Sequence, residues 1–149
     1  DPLSDSRPFP TLFWLSCPML RKKCATLETA GGVREMESAL VGKESEWMRY
    51  HRVYSAIRSL LIPERTRTFL SARRRTQWRS FRLGGVGGTM PLGSSGRTGV
   101  KCLHLHTASW LALGRHPARE WLAEKIGGNA CDDPHSFGCV PAPQSSIVT

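Results

Sequence analysis

At 149 residues with 40% hydrophobic content, the chain can bury one modest core but not two independent ones. No apolar run approaches the roughly 20 residues that cross a bilayer, and five cysteines at irregular spacing do not make a disulfide framework. A net charge of +9 and a pI near 10.0 favour anionic partners: nucleic acid, phosphates or anionic lipid.

The charge is unevenly placed. No acidic residue lies between Glu64 and Glu120, an interval that holds eleven Lys or Arg. We read the cysteines as reduced thiols and the chain as intracellular, in the cytoplasm or an organelle interior. The start at Asp1, without an initiator Met, reads as a segment of a longer product, upstream of which a targeting peptide could lie.

In chain order, Asp1 to Pro10 is Pro-rich and predicts loop. Thr11-Leu12-Phe13-Trp14-Leu15 predicts a buried strand or extended segment. Ser16 or Cys17 then caps a helix with Pro18 at its first position, where a missing N–H costs nothing. Leu20, Cys24 and Leu27 repeat along it until Gly31-Gly32, and Cys24 reads as a small core residue. A short helix follows over 33–40. A longer one over 44–61 carries the stripe Trp47, Tyr50, Tyr54, Ile57 and Leu61, and Pro63 closes it. His51, Tyr54 and Arg58 share one side of it, beside the stripe.

Residues 65–82 hold seven arginines with Phe69, Trp78 and Phe81 among them, read either as a frayed basic helix or as an insertion loop. A Gly-rich link over 83–99 follows; it lacks the Lys-Ser/Thr of a P-loop and reads as a flexible hinge rather than a phosphate cradle. Val100 to Leu113 predicts a helix ending at Gly114, with Cys102, Leu103, His106, Trp110 and Leu113 on one face. A strand over 100–106 is the alternative and would align Cys102, His104 and His106. Pro117 opens a last helix with Ala118, Trp121, Leu122 and Ile126 inward. Residues 129–149 read as a flexible tail. The fold class is therefore mostly α: a single small domain over 7–128 with about five helices and a short extended N-terminal segment.

Four pieces in order carry a resemblance. They are Pro8-Phe9-Pro10-Thr11-Leu12-Phe13-Trp14-Leu15-Ser16-Cys17-Pro18; Leu27-Glu28 with Gly31 and Arg34-Glu35-Met36; His51 with Tyr54 and Arg58; and Val100-Lys101-Cys102-Leu103-His104 with the turn from Gly114 to Pro117. Together they resemble the bacterial family catalogued as domain of unknown function 501, common in actinobacteria and often encoded near cell-division genes. The resemblance spans roughly residues 7 to 126 and implies a small, mostly helical domain with no established activity. The basic stretch 65–82 is longer than usual for that family, and the Gly-rich piece at 84–88 is only loosely matched. Many members have a His where Ser109 stands here, and position 17 is Cys in some and His in others.

The densest chemistry lies between Lys101 and His106. Cys17, Cys102 and His104 or His106, with His51 or Cys131 as a fourth, would offer zinc a tetrahedral Cys/His set. The spacings are not the paired type that signals zinc strongly, and Cys and His on apolar faces are commonly core. Alternatively Lys101 and a helix N-terminus would lower the Cys102 thiol to a nucleophile, with His51 or His104 as base. Arg58 would then clamp a carboxylate or phosphate and Tyr54 orient it. Against this, His51, Tyr54 and Arg58 could form a hydrogen-bond network to the first helix, with Arg58 paired to Glu28. Three functions follow: a metal-dependent or small-molecule site on Cys/His/Arg, catalytic or not; a basic RNA- or nucleic-acid-binding module using 65–82; or a non-catalytic interaction domain whose Cys/His cluster is structural.

Overall fold

Pro18 opens the first helix, and the backbone does what its missing N–H allows. Cys17 is extended (φ −61°, ψ 118°), and its carbonyl takes the Arg21 N–H at 3.0 Å to start α1, Pro18–Thr29. Leu20 and Cys24 face inward, and Gly31 (φ 92°) turns the chain into α2, Gly32–Ala39, which buries Met36. Next come α3, Glu44–Leu61; α4, Glu64–Arg73; α5, Arg75–Leu83; a single 3-10 turn, Val86–Gly88; α6, Leu103–Leu113; and α7, Arg119–Ile126. This computed structural model describes residues 10–88, 91, 92, 96, 98–128 and 131–139. Among the described residues there is no strand, only an isolated antiparallel bridge between Leu92 and Thr98.

Seven α-helices stand where about five were expected. The two additional ones, α4 and α5, both fall in the arginine-rich stretch, where no apolar period announced them. Arginine is itself a good helix former; α5, with Phe81 buried, packs on α3, and α4, with Leu70 buried, packs on α5. Over 11–15, where a buried strand or extended segment was expected, no strand forms. The segment has no regular structure, Trp14 is exposed, and the Leu12 N–H instead donates to the Tyr54 hydroxyl at 2.8 Å. Over 100–106 the helix reading holds from Leu103 onward, with Cys102 extended just ahead of it. The expected loop over residues 1–9 lies outside the described residues, as do parts of the 83–99 link and of the 129–149 tail.

The core has two parts. One gathers Leu20, Cys24, Met36, Leu40, Trp47, Val100, Leu103, Ala118, Leu122 and Ile126 from α1, α2, α3, α6 and α7. The other gathers Tyr50, Tyr54 and Val86, covered by Leu12, Phe13, Leu105 and Leu113. On α3 the buried positions are Trp47, Tyr50, His51, Tyr54, Ser55 and Arg58, which is an unbroken helical face. Its lower half is polar because it packs on backbone carbonyls rather than on hydrocarbon. Ile57 is consequently only half-buried and Leu61 is exposed, off the stripe that hydropathy had assigned them.

Candidate metal centre

The N-terminus of α6 lacks a capping side chain of its own, because Cys102 stands at the cap position without a side-chain cap bond. An acceptor arrives from another helix: Glu28 Oε1, in the last turns of α1, takes the Leu103 N–H at 2.5 Å. The same oxygen lies 3.1 Å from His104 Nδ1, and His104 Nε2 lies 3.1 Å from the Arg21 carbonyl oxygen. Ligand atoms of Glu28, Cys102 and His104 all lie within 4.8 Å of one another, and all three side chains are half-buried. They line a groove of about 680 Å³ with Arg21, Lys101 and Trp14.

Both ring nitrogens of His104 thus face acceptors. With its hydrogen on Nδ1 the ring donates to Glu28; with its hydrogen on Nε2 it donates to the Arg21 carbonyl and turns the Nδ1 lone pair toward the Glu28 carboxylate, an arrangement that a cation between them would complete. At metal sites a ligating imidazole commonly has its other N–H held by a backbone carbonyl, which fixes the ring.

Burial pushes the Cys102 thiol up, and the Glu28 carboxylate adds to the rise; N–H groups of Leu105 and His104 and the Lys101 ammonium oppose it without prevailing. The surroundings thus favour the thiol over the free thiolate that a nucleophile needs. Lys101 spends its ammonium on the Gly87 carbonyl at 3.3 Å.

His51 and His106 lie elsewhere, in a buried cluster around Trp47. Ring centroids are 4.3 Å from Trp47 to His51, 5.1 Å to His106 and 5.7 Å to His116. Hydrogen bonds set each tautomer in turn. His51 Nδ1 accepts the Val86 N–H at 3.1 Å, and His116 Nδ1 accepts the Ala118 N–H at 3.0 Å. His116 must then carry its hydrogen on Nε2 and donate it to His106 Nδ1, 3.1 Å away. His51 Nε2 and His106 Nε2 are the N–H ends of their rings, and neither finds an acceptor among the described residues. In this arrangement no ring of the three offers a free lone pair. Burial drives all three toward the neutral form, His51 down to about 4 and His116 to about 3.

Arg58 forms a third place. Its guanidinium donates to the carbonyls of Phe81, Gly84, Gly85 and Pro10, the last two at 3.0 and 2.8 Å. It therefore clamps the glycine run and the N-terminal segment to α3, and Glu28 is not its partner. Gly84 to Gly87 are buried, so the run expected as a hinge is packed between helices.

The candidate side chains named from the sequence fall in more than one place. Cys102 and His104 share the groove with Glu28, Lys101 lines it, and His51 and Arg58 meet the glycine loop from α3. Cys17 starts α1, half-buried and packed against the core. Sequence reasoning passed over Glu28 as a ligand and His116 altogether. The signals were a helix start without a capping residue at Cys102 and a His two positions before an uncapped N–H at Ala118.

Fold and site together define a small all-helical domain with a half-buried Glu/Cys/His group at one helix start and a histidine–tryptophan cluster in its core. A family model described as "Protein of unknown function (DUF501)" matches residues 1–124, and the chain belongs to that family. No curated protein and no solved structure matches it. No helix among the described residues is long and apolar enough to cross a membrane.

Proposed function

We propose that this domain holds a divalent transition-metal ion, zinc by its ligand chemistry, at Glu28, Cys102 and His104. Three mixed N, S and O ligands with a fourth position open to a groove are the pattern of a reactive zinc rather than a closed structural one. Arg21 and Lys101 beside that position favour an anionic small molecule as the group brought to the ion. The observation that carries the reading is the grouping itself: ligand atoms of Glu28, Cys102 and His104 lie within 4.8 Å of one another, with His104 Nε2 at the Arg21 carbonyl and Nδ1 at the Glu28 carboxylate.

The test is cobalt substitution of the purified chain, read as a thiolate-to-cobalt absorption band, together with elemental analysis. One equivalent of metal is expected, with the band lost in Cys102→Ser and uptake weakened at least tenfold in His104→Ala and Glu28→Gln. Unchanged uptake in those variants, or an NMR signature of His104 protonated on both nitrogens with zinc present, would replace the metal by an imidazolium–carboxylate pair.

A second reading rests on α4 and α5. Six of their arginines, Arg65, Arg73, Arg74, Arg75, Arg79 and Arg82, are exposed, and none has an ion pair among the described residues. With Phe69 partly exposed beside them, this pair of helices suits a single-stranded nucleic acid.

A further inference from the structure

Arginines without carboxylate partners mark a second concave place, sharing no residue with the groove at Cys102. A cleft of about 600 Å³ lies between the N-terminal half of α3 and the turn that joins α6 to α7. Of its two carboxylates, Glu120 is engaged: it takes Arg119 Nε at 2.9 Å and Lys43 Nζ at 3.4 Å, and the Arg119 guanidinium, its own backbone N–H and Lys43 hold its carboxyl down at about 2. Glu46 has no ion pair among the described residues. Lys43 also donates to the Pro117 carbonyl at 3.2 Å, so the two walls are tied to each other without any ligand.

Arg49 and Arg115 line the same cleft, are exposed, and have no ion pair among the described residues. The floor is aromatic and fixed. The Tyr50 and His116 rings meet edge to face at 4.6 Å, and the Tyr50 hydroxyl shares a hydrogen bond with Ser109. Val53 and Pro117 add apolar wall.

Four cations, Lys43, Arg49, Arg115 and Arg119, against two carboxylates leave the cleft positive, and the Arg49 and Arg115 forks, neither of them in an ion pair, suit a dianion because each can take two phosphate oxygens at once. The volume suits a small molecule rather than a strand. We propose that this cleft binds a small phosphate monoester, with its phosphate on Arg49 and Arg115 and its uncharged part against Tyr50. The site is independent of the metal reading.

The experiment is amide-shift NMR of the full chain at constant ionic strength, titrated with inorganic phosphate, adenosine monophosphate and adenosine. Saturable shifts centred on residues 49–53 and 115–120 are expected with the monophosphate, weaker ones with phosphate alone, and none with adenosine. Arg49→Gln and Arg115→Gln should each raise the monophosphate Kd about tenfold. Lys22→Gln with Arg34→Gln, which removes more charge at exposed residues that do not line the cleft, should leave it unchanged. Absence of saturation at millimolar monophosphate, equal binding of adenosine, or an equal loss in the Lys22/Arg34 control would each overturn the site and leave only diffuse attraction to a basic chain. All four side chains are exposed, so the variants are expected to fold, and unchanged melting temperatures check this.

Discussion

Gly85 shows how closely single residues are specified. A Cβ built there would lie 1.7 Å from His51 Nδ1. The imidazole occupies that space because it accepts the Val86 N–H, and it cannot withdraw because the Trp47 ring lies 4.3 Å behind it, centroid to centroid. The Gly85 carbonyl is meanwhile held by Arg58. Gly85→Ala must therefore break the Val86–His51 bond or push the loop off Arg58. Overpacking plus an unsatisfied buried polar group predicts a loss of about 2–4 kcal/mol in urea denaturation. Gly42 is the control: it has φ +80° but nothing within 4 Å of an added Cβ, so Gly42→Ala should lose only about 1 kcal/mol of backbone strain. Equal losses at the two positions would mean that the space at Gly85 is not filled as described.

At the scale of elements, helices announced by apolar period and a breaker were legible: α1 from Pro18 and the Leu20/Cys24 spacing, α3 up to Pro63, α6 up to Gly114. What hydropathy could not reveal was a buried face made of His51, Ser55 and Arg58, because its partners are main-chain groups of 81–86, the Val86 N–H for His51 and carbonyls for Ser55 and Arg58, that carry no side-chain signal. The same blindness hid the Glu28 site, which depends on α1 meeting the start of α6 across 75 residues of sequence. The α4–α5 pair was invisible for another reason: its inward residues are few, and arginine is the commonest of its outward ones. That surface makes its own prediction. If about four of its arginines meet phosphates of a single strand, log Kobs should fall with log salt at a slope of about −3. Arg73→Gln, Arg74→Gln and Arg75→Gln together should flatten that slope by about 2 without lowering stability, since none of the three is buried. A slope near zero in a filter-binding salt series would remove nucleic acid as the partner of these helices.

For the whole molecule, the three core imidazoles tie folding to pH. His51 is about 1% exposed, and His106 and Trp47 are fully buried, so protonating any ring of the cluster puts a charge into the middle of the core. The folded values lie below the ordinary His value of 6.5, at about 4 for His51 and about 3 for His116. The unfolded chain therefore binds more protons in the interval between, and stability rises with pH there. The contribution is fully present above about 6.5 and is lost progressively as pH falls toward the folded values. For His51 alone, lowering the pH from 7.5 to 5 removes about 2 kcal/mol, taking 1.36 kcal/mol per unit below 6.5. His116 and His106 add to the loss, though not independently, because His116 donates to His106. Urea midpoints at pH 7.5, 6 and 5 should therefore drop steeply. His51→Asn keeps a side-chain acceptor near the Val86 N–H and removes one titrating ring; it should be less stable than wild type at pH 7.5 and should lose less on going to pH 5. A wild-type midpoint that holds constant across that range would mean that the imidazoles are already charged or already wet in the native state, and the tautomer chain from Ala118 through His116 to His106 could not then be the arrangement that fills the core.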